Sequence, residues 1–89
     1  MAVIDTGIDL RHPDLQSRIG SHQNFIKDSP YRPELHGTAV AGIIAAEDNG
    51  VGITGIAPAV EILALRACRQ VSEHDAAGEC TSTSIVKSL

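Results

Sequence analysis

Aromatic side chains are almost missing from this sequence: Phe25 and Tyr31 stand alone, and there is no tryptophan. Any core must therefore be built from alanine, valine, isoleucine and leucine. Stacking on single-stranded nucleic acid, which uses aromatic platforms, is not expected. Positive charge is also scarce, with seven Lys plus Arg against eleven Asp plus Glu and a net charge of -4. A phosphate-backbone partner needs a basic face, so no nucleic acid is expected as a partner. No apolar run approaches the roughly 20 residues of a membrane span. The uncharged stretch Gly50 to Val60 is broken by glycines and Pro58. No basic segment precedes the apolar residues after Met1, so no signal peptide is expected.

What is present is an ordinary globular balance. Hydrophobic residues make up 43% and charged residues 20% of 89, which suits one domain at most. A chain this short buries a smaller share of its surface than a longer domain, so its stability margin is thin. Met1-Ala2-Val3-Ile4 reads as a strand with nothing before it, and Thr81 to Leu89 as a helix barely begun. The expectation is a piece of something longer.

Ala2-Val3-Ile4 is a short apolar run ending at Asp5-Thr6-Gly7, which suits a buried parallel strand followed by a tight loop. Ile8 to Leu15 reads as loop, and Asp14 to Ile19 as one helical turn. Ser21 to Leu35 reads mostly as loop, with a short edge strand at Asn24-Phe25-Ile26. From His36 to Glu47 the residues are small or apolar all round apart from the two ends, which predicts a buried helix. Asp48-Asn49-Gly50 is its expected end. Val60 to Leu65 places apolar groups on both faces, as a strand inside a parallel sheet does. Cys68 to Cys80 reads as a polar loop. Thr81, Ser82 or Thr83 caps a helix carrying Ile85, Val86 and Leu89. The alternation of strands and helices predicts an α/β fold with a parallel sheet.

Four constellations bear on function. Gly50-Val51-Gly52-Ile53-Thr54-Gly55 has the spacing of a dinucleotide fingerprint, but a helix precedes it and Ala57-Pro58 follows, so a structural loop is expected. His12, His22, His36 and His74 show no metal-ligand spacing, and the cysteines are not C-x-x-C, so zinc is weakly supported. Cys68 and Cys80 bracket a polar segment, and the even count favours a disulfide over two free thiols. Asp5 falls just past a predicted parallel strand, where open α/β sheets place their sites. His36 opens the predicted helix. A carboxylate facing one imidazole nitrogen fixes the tautomer and stabilises the imidazolium when the other nitrogen takes a proton.

These segments resemble those of the subtilisin-like serine proteases (subtilases). Ala2 to Asp9 with His12-Pro13-Asp14-Leu15 resembles the catalytic-aspartate segment, and His36 to Ala46 the catalytic-histidine segment. Asn49 to Pro58 resembles the loop that follows, and Glu61 to Ala67 the next core strand. Ala39 stands where the family has a second histidine, and Leu35 before His36 is unusual. The resemblance implies a three-layer parallel-sheet fold, with residues 1–89 as part of a catalytic domain. It implies that Asp5 orients the ring and that His36 is general base, then general acid, in peptide-bond cleavage. The nucleophilic serine would lie roughly 150 residues beyond the histidine, so outside this chain, which alone is expected to be inactive. No cofactor is required for the chemistry. A structural calcium ion is implied on Asp14, Glu47, Asn49, Val51 and Ile53, an oxygen-donor set that suits a hard cation. Polypeptide substrates and a secreted or periplasmic location follow from the same resemblance. The competing expectation is a non-catalytic structural or calcium-binding fragment, or an inactive homologue, that self-associates through unpaired sheet edges.

Overall fold

In the computed structural model the residues described are 1–27, 29–46, 55–57 and 59–89. The apolar runs become strands β1 (Ala2–Asp5) and β3 (Ile62–Arg66), and β3 also pairs with β2 (Ile19–Asn24). All three are parallel, in the order β1-β3-β2. This is the expected α/β arrangement. Asp5 is the register partner of Arg66, so the polar ends of β1 and β3 lie side by side. The core gathers Val3, Ile8, Leu15, Ile62 and Ala64 from this sheet and its loop, with Ala41 and Ala45 from helix α1 (Leu35–Ala45).

Helix α1 meets β1 through Gly37, Ala41 and Ala45, which are buried and fall at i, i+4 and i+8. That spacing makes one narrow stripe. The expectation of a helix covered all round is corrected: Leu35 is 54% and Ile43 61% exposed. The small-residue stripe is buried, and Val40 and Ile44 beside it are partly buried against the same core. At its C-terminal end, Gly55, Ile56 and Ala57 donate their amides to the carbonyls of Ala46, Ile43 and Ile44, which satisfies orphan acceptors. The expected stop at Asp48-Asn49-Gly50 and most of the glycine-rich run lie outside the described residues.

Three further expectations are corrected. The strand placed at Asn24-Phe25-Ile26 is β2, beginning at Ile19. Its residues Gly20, Ser21, His22 and Gln23 are polar and exposed at a sheet edge, so no apolar alternation marked it. The polar loop between the cysteines is an antiparallel hairpin, β4 (Cys68–Ser72) and β5 (Asp75–Cys80). Beyond Cys68 it is mostly exposed, which again removes the hydrophobic signal. Helix α2 (Ser82–Ser88) is capped by Thr81 in a reciprocal box with Ser84, yet it buries Ser84 and Ser88 rather than its apolar residues. Val86 is 68% and Leu89 89% exposed. The Ser84 hydroxyl donates to the Ala67 carbonyl at 2.6 Å, which turns the serine face inward.

Candidate active site

The site forms where the loop after β1 meets the first turn of α1. The Asp5 carboxylate accepts the Thr6 amide at 2.6 Å, which fixes its rotamer. His36 Nδ1 lies 2.8 Å from Asp5 Oδ1 and 3.0 Å from Oδ2. An ionised carboxylate only accepts, so this geometry assigns the Nδ1–H tautomer to the neutral ring. The Asp5 side chain is 15% exposed and that of His36 53%. The carboxylate is thus sheltered while the ring reaches solvent. The pair that the sequence singled out is brought together.

A seam of contacts sets this distance. The Thr6 hydroxyl accepts the Gly37 amide at 2.8 Å, and the Thr38 hydroxyl accepts the Asp9 amide at 2.8 Å. Glu34 and Gly7 exchange two bonds: the Glu34 amide donates to the Gly7 carbonyl at 2.9 Å, and Glu34 Oε1 accepts the Gly7 amide at 2.8 Å. Two glycines allow the approach. A Cβ on Gly7 would sit 1.8 Å from the Arg32 carbonyl oxygen, and one on Gly37 would sit 2.3 Å from that of Thr6.

Behind the seam lies a buried ion pair that the sequence reading missed. Arg66 Nε donates to Glu34 Oε1 at 2.6 Å, with side chains 0% and 2% exposed. Glu34 Oε2 also accepts the Gln70 amide at 2.6 Å. Arg66 Nη1 reaches Asn24, Ser29 and the Pro30 carbonyl. Burial alone would push the Glu34 carboxyl up, but the bonds from Arg66, Gln70 and Gly7 together hold it below its ordinary value. Tyr31 is raised by burial, against the lowering bond from Ile8. One signal marked the pair in advance: Arg66 is the lone charge ending the apolar run Ile62-Leu63-Ala64-Leu65, and a buried charge requires a partner.

Other predicted residues fall elsewhere. Cys68 and Cys80 are bonded, facing each other across the hairpin with Cα atoms 4.2 Å apart. Five serine hydroxyls are engaged with local groups: Ser17 with Arg18, Ser29 with Arg66, Ser72 with the His74 amide, Ser84 with Ala67 and Ser88 with Ile85. Of the implied calcium ligands, Glu47, Asn49, Val51 and Ile53 lie outside the described residues. Asp14 lies in the turn after His12, its amide donating to His12 Nδ1 at 3.1 Å. Among the described residues no group of three or more His, Cys, Asp or Glu could hold a metal ion. Nor is any helix among them long and apolar enough to cross a membrane.

Known proteins share this arrangement of segments. The profile of the subtilase family matches residues 1–88. The chain belongs to the subtilase family. It is similar to an intracellular serine protease of Paenibacillus polymyxa, 44% identical over 72 residues, a match covering 74% of this chain and 22% of the relative. It is similar to a thermophilic serine proteinase of Bacillus sp. strain AK1, 51% identical over 71 residues, covering 75% of this chain and 18% of the relative. Subtilisin E of Bacillus subtilis strain 168 is 45% identical over 67 residues, with coverage of 74% and 18%. Among solved structures, the Aeromonas sobria serine protease in complex with its chaperone superposes with a TM-score of 0.65 at 37% identity, covering 83% of this chain and 13% of that one. The subtilase chain spans about a fifth of the length of the curated relatives it matches.

Proposed function

We propose that this subtilase chain supplies the aspartate and histidine of an Asp-His-Ser triad in a serine endopeptidase. The observation that carries the reading is the Asp5–His36 contact at 2.8 Å with the ring half open to solvent. Asp5 engages Nδ1 of the imidazole, which leaves Nε2 of the neutral ring as the acceptor. His36 takes the proton of an attacking serine hydroxyl, and Asp5 stabilises the imidazolium against the unfavourable helix N-terminus. His36 then returns that proton to the leaving amine, and an acyl-enzyme forms and is hydrolysed. The serine and the oxyanion-hole donors come from outside residues 1–89, and the substrate is a polypeptide. These 89 residues alone should show no turnover.

The test is His36→Ala in the complete reading frame that carries this sequence. Peptide hydrolysis should fall by on the order of 10⁴-fold or more, the scale on which such triads lose rate when a member is removed. Unchanged rates would defeat the assignment. We further propose structural calcium on Asp14, Glu47, Asn49, Val51 and Ile53, supported by their oxygen chemistry; calorimetric titration with no heat at millimolar calcium would dispose of it. An oxidising compartment, secreted or periplasmic, is supported by the Cys68–Cys80 bond, since disulfides persist there, although some relatives are named intracellular. The competing non-catalytic reading draws on β1 and β2, each with β3 as its strand neighbour and an outer edge open to pairing among the described residues. Concentration-dependent sedimentation would support self-association through those edges.

A further inference from the structure

Glu34 touches neither the imidazole nor the Asp5 carboxylate, yet it contacts every segment that holds them. Its Oε1 accepts the amide of Gly7, two residues after Asp5. Its own backbone amide donates to the Gly7 carbonyl, and its carbonyl accepts the Thr38 amide in the first turn of α1. His36 follows two residues later in the chain. Oε2 accepts the amide of Gln70, and the Gln70 side chain returns to accept the Leu35 amide at 2.8 Å. Arg66, bonded to Oε1, sits in register with Asp5, and the Ala67 amide after it donates to the Asp5 carbonyl at 3.0 Å.

Glu34 thus occupies the position that usually caps a helix, but its side chain makes no cap bond. The carboxylate is spent on two other segments instead. Three backbone stretches (5–7, 34–38 and 66–70) converge on one buried anion. The geometry points to Glu34 as a positioning residue: its Arg66-anchored carboxylate locks the loop after β1 against the start of α1 and so fixes the Asp5–His36 bond. This rests on the proposed role of that pair and adds to it the device that sets its distance. A neutral amide cannot replace it. A glutamine at 34 accepts through one oxygen alone, and its NH₂ would face a donor, either the Gln70 amide or Arg66. The register between the segments would relax, and the ring would lose its fixed orientation.

The experiment reads the imidazole, not turnover. Ring ¹⁵N shifts of His36 in the complete protein that carries this sequence, at a pH where the ring is neutral, report the ratio of Nδ1–H to Nε2–H tautomers. The unaltered chain should favour Nδ1–H. In Glu34→Gln that preference should fall about tenfold, the ratio one hydrogen bond of ordinary net strength sustains, while far-ultraviolet circular dichroism stays native. A merely structural Glu34 would lower the melting temperature and leave the tautomer ratio of the folded chain unmoved, and that result overturns the proposal. Asp5→Asn is the separate arm. If it abolishes the preference while Glu34→Gln does not, the positioning role fails and the pairing stands. If Asp5→Asn leaves the ratio unchanged, the pairing itself falls. Should Glu34→Gln not fold, Glu34→Gln/Arg66→Met removes the stranded charge and carries the same readout. Hydrogen exchange of the unaltered chain needs no substitution: the Gly7, Gly37 and Gln70 amides should open as one unit. Gly37 opening independently and at least about tenfold faster than the other two would overturn the proposal.

Discussion

Two acid–base pairs of this subtilase chain, Asp5–His36 and Glu34–Arg66, lie close together and are built in opposite ways. Asp5–His36 sits at the open end of the sheet, with the ring 53% exposed; Glu34–Arg66 is sealed, with neither side chain above 2%. The exposed pair has few bonds of its own, whereas the buried one collects donors from three segments. An exposed ion pair contributes little to stability, about 0–1 kcal/mol. A buried pair is costly to break, because one stranded charge remains. On the proposed positioning role, the geometry of Asp5–His36 depends on order in the layer beneath it.

That contrast is open to direct attack. Glu34→Ala should cost about 3–5 kcal/mol by leaving Arg66 buried and unpaired, enough to unfold much of a chain this small. Asp5→Asn should cost about 1 kcal/mol or less. Urea melts of both variants make the comparison, and equal losses would erase the distinction. Replacing Cys68 and Cys80 together by alanine should cost roughly 3 kcal/mol, the chain-entropy value for a closed loop of about 13 residues. The loss should appear in the same melts, and reduction of the unaltered chain should reproduce it. Gly37→Ala should cost about 1–3 kcal/mol, because a methyl would overlap the Thr6 carbonyl and the seam must shift.

The smallest effect concerns pH. The Glu34 carboxyl is held below its ordinary value near 4.5, so the unfolded chain binds more protons than the folded one in the window just below that value. Stability contributed by Glu34 is therefore complete above about pH 4.5 and is lost as pH falls through the depressed folded value. Tyr31 works in the other direction. Burial holds its hydroxyl above 10.0, so its contribution is complete below that pH and fades as pH rises past it. Thermal melts across pH should show both flanks, and Glu34→Gln should flatten the acid one. An acid limb unchanged in that variant would show that other carboxylates set it.

What was readable from the sequence follows the same division. Asp5 and His36 sit in uninterrupted local patterns, a strand ending in Asp-Thr-Gly and a small-residue helix opening on His-Gly-Thr, so short-range signals sufficed. Glu34 and Arg66 stand 32 residues apart, and nothing local distinguishes a glutamate after Pro33 from a solvated one. Only the improbability of an unpaired arginine in a buried strand hinted at it. The hairpin and β2 escaped because most of their described side chains are exposed, and edge or ribbon strands need no apolar alternation. The face of α2 was misread for a related reason: hydrophobicity suggested Ile85, Val86 and Leu89, but the Ser84 hydroxyl and the Ala67 carbonyl decided the rotation.

The glycine contacts at positions 7 and 37 have an evolutionary consequence. Side-chain growth is barred on the inner flank of the first helical turn, since even one methyl meets opposing main chain. On the same helix, Leu35 and Ala39, one residue before and three after His36, are exposed. Changes of side-chain shape on this turn are thus channelled into those two positions, where they leave the packing underneath undisturbed.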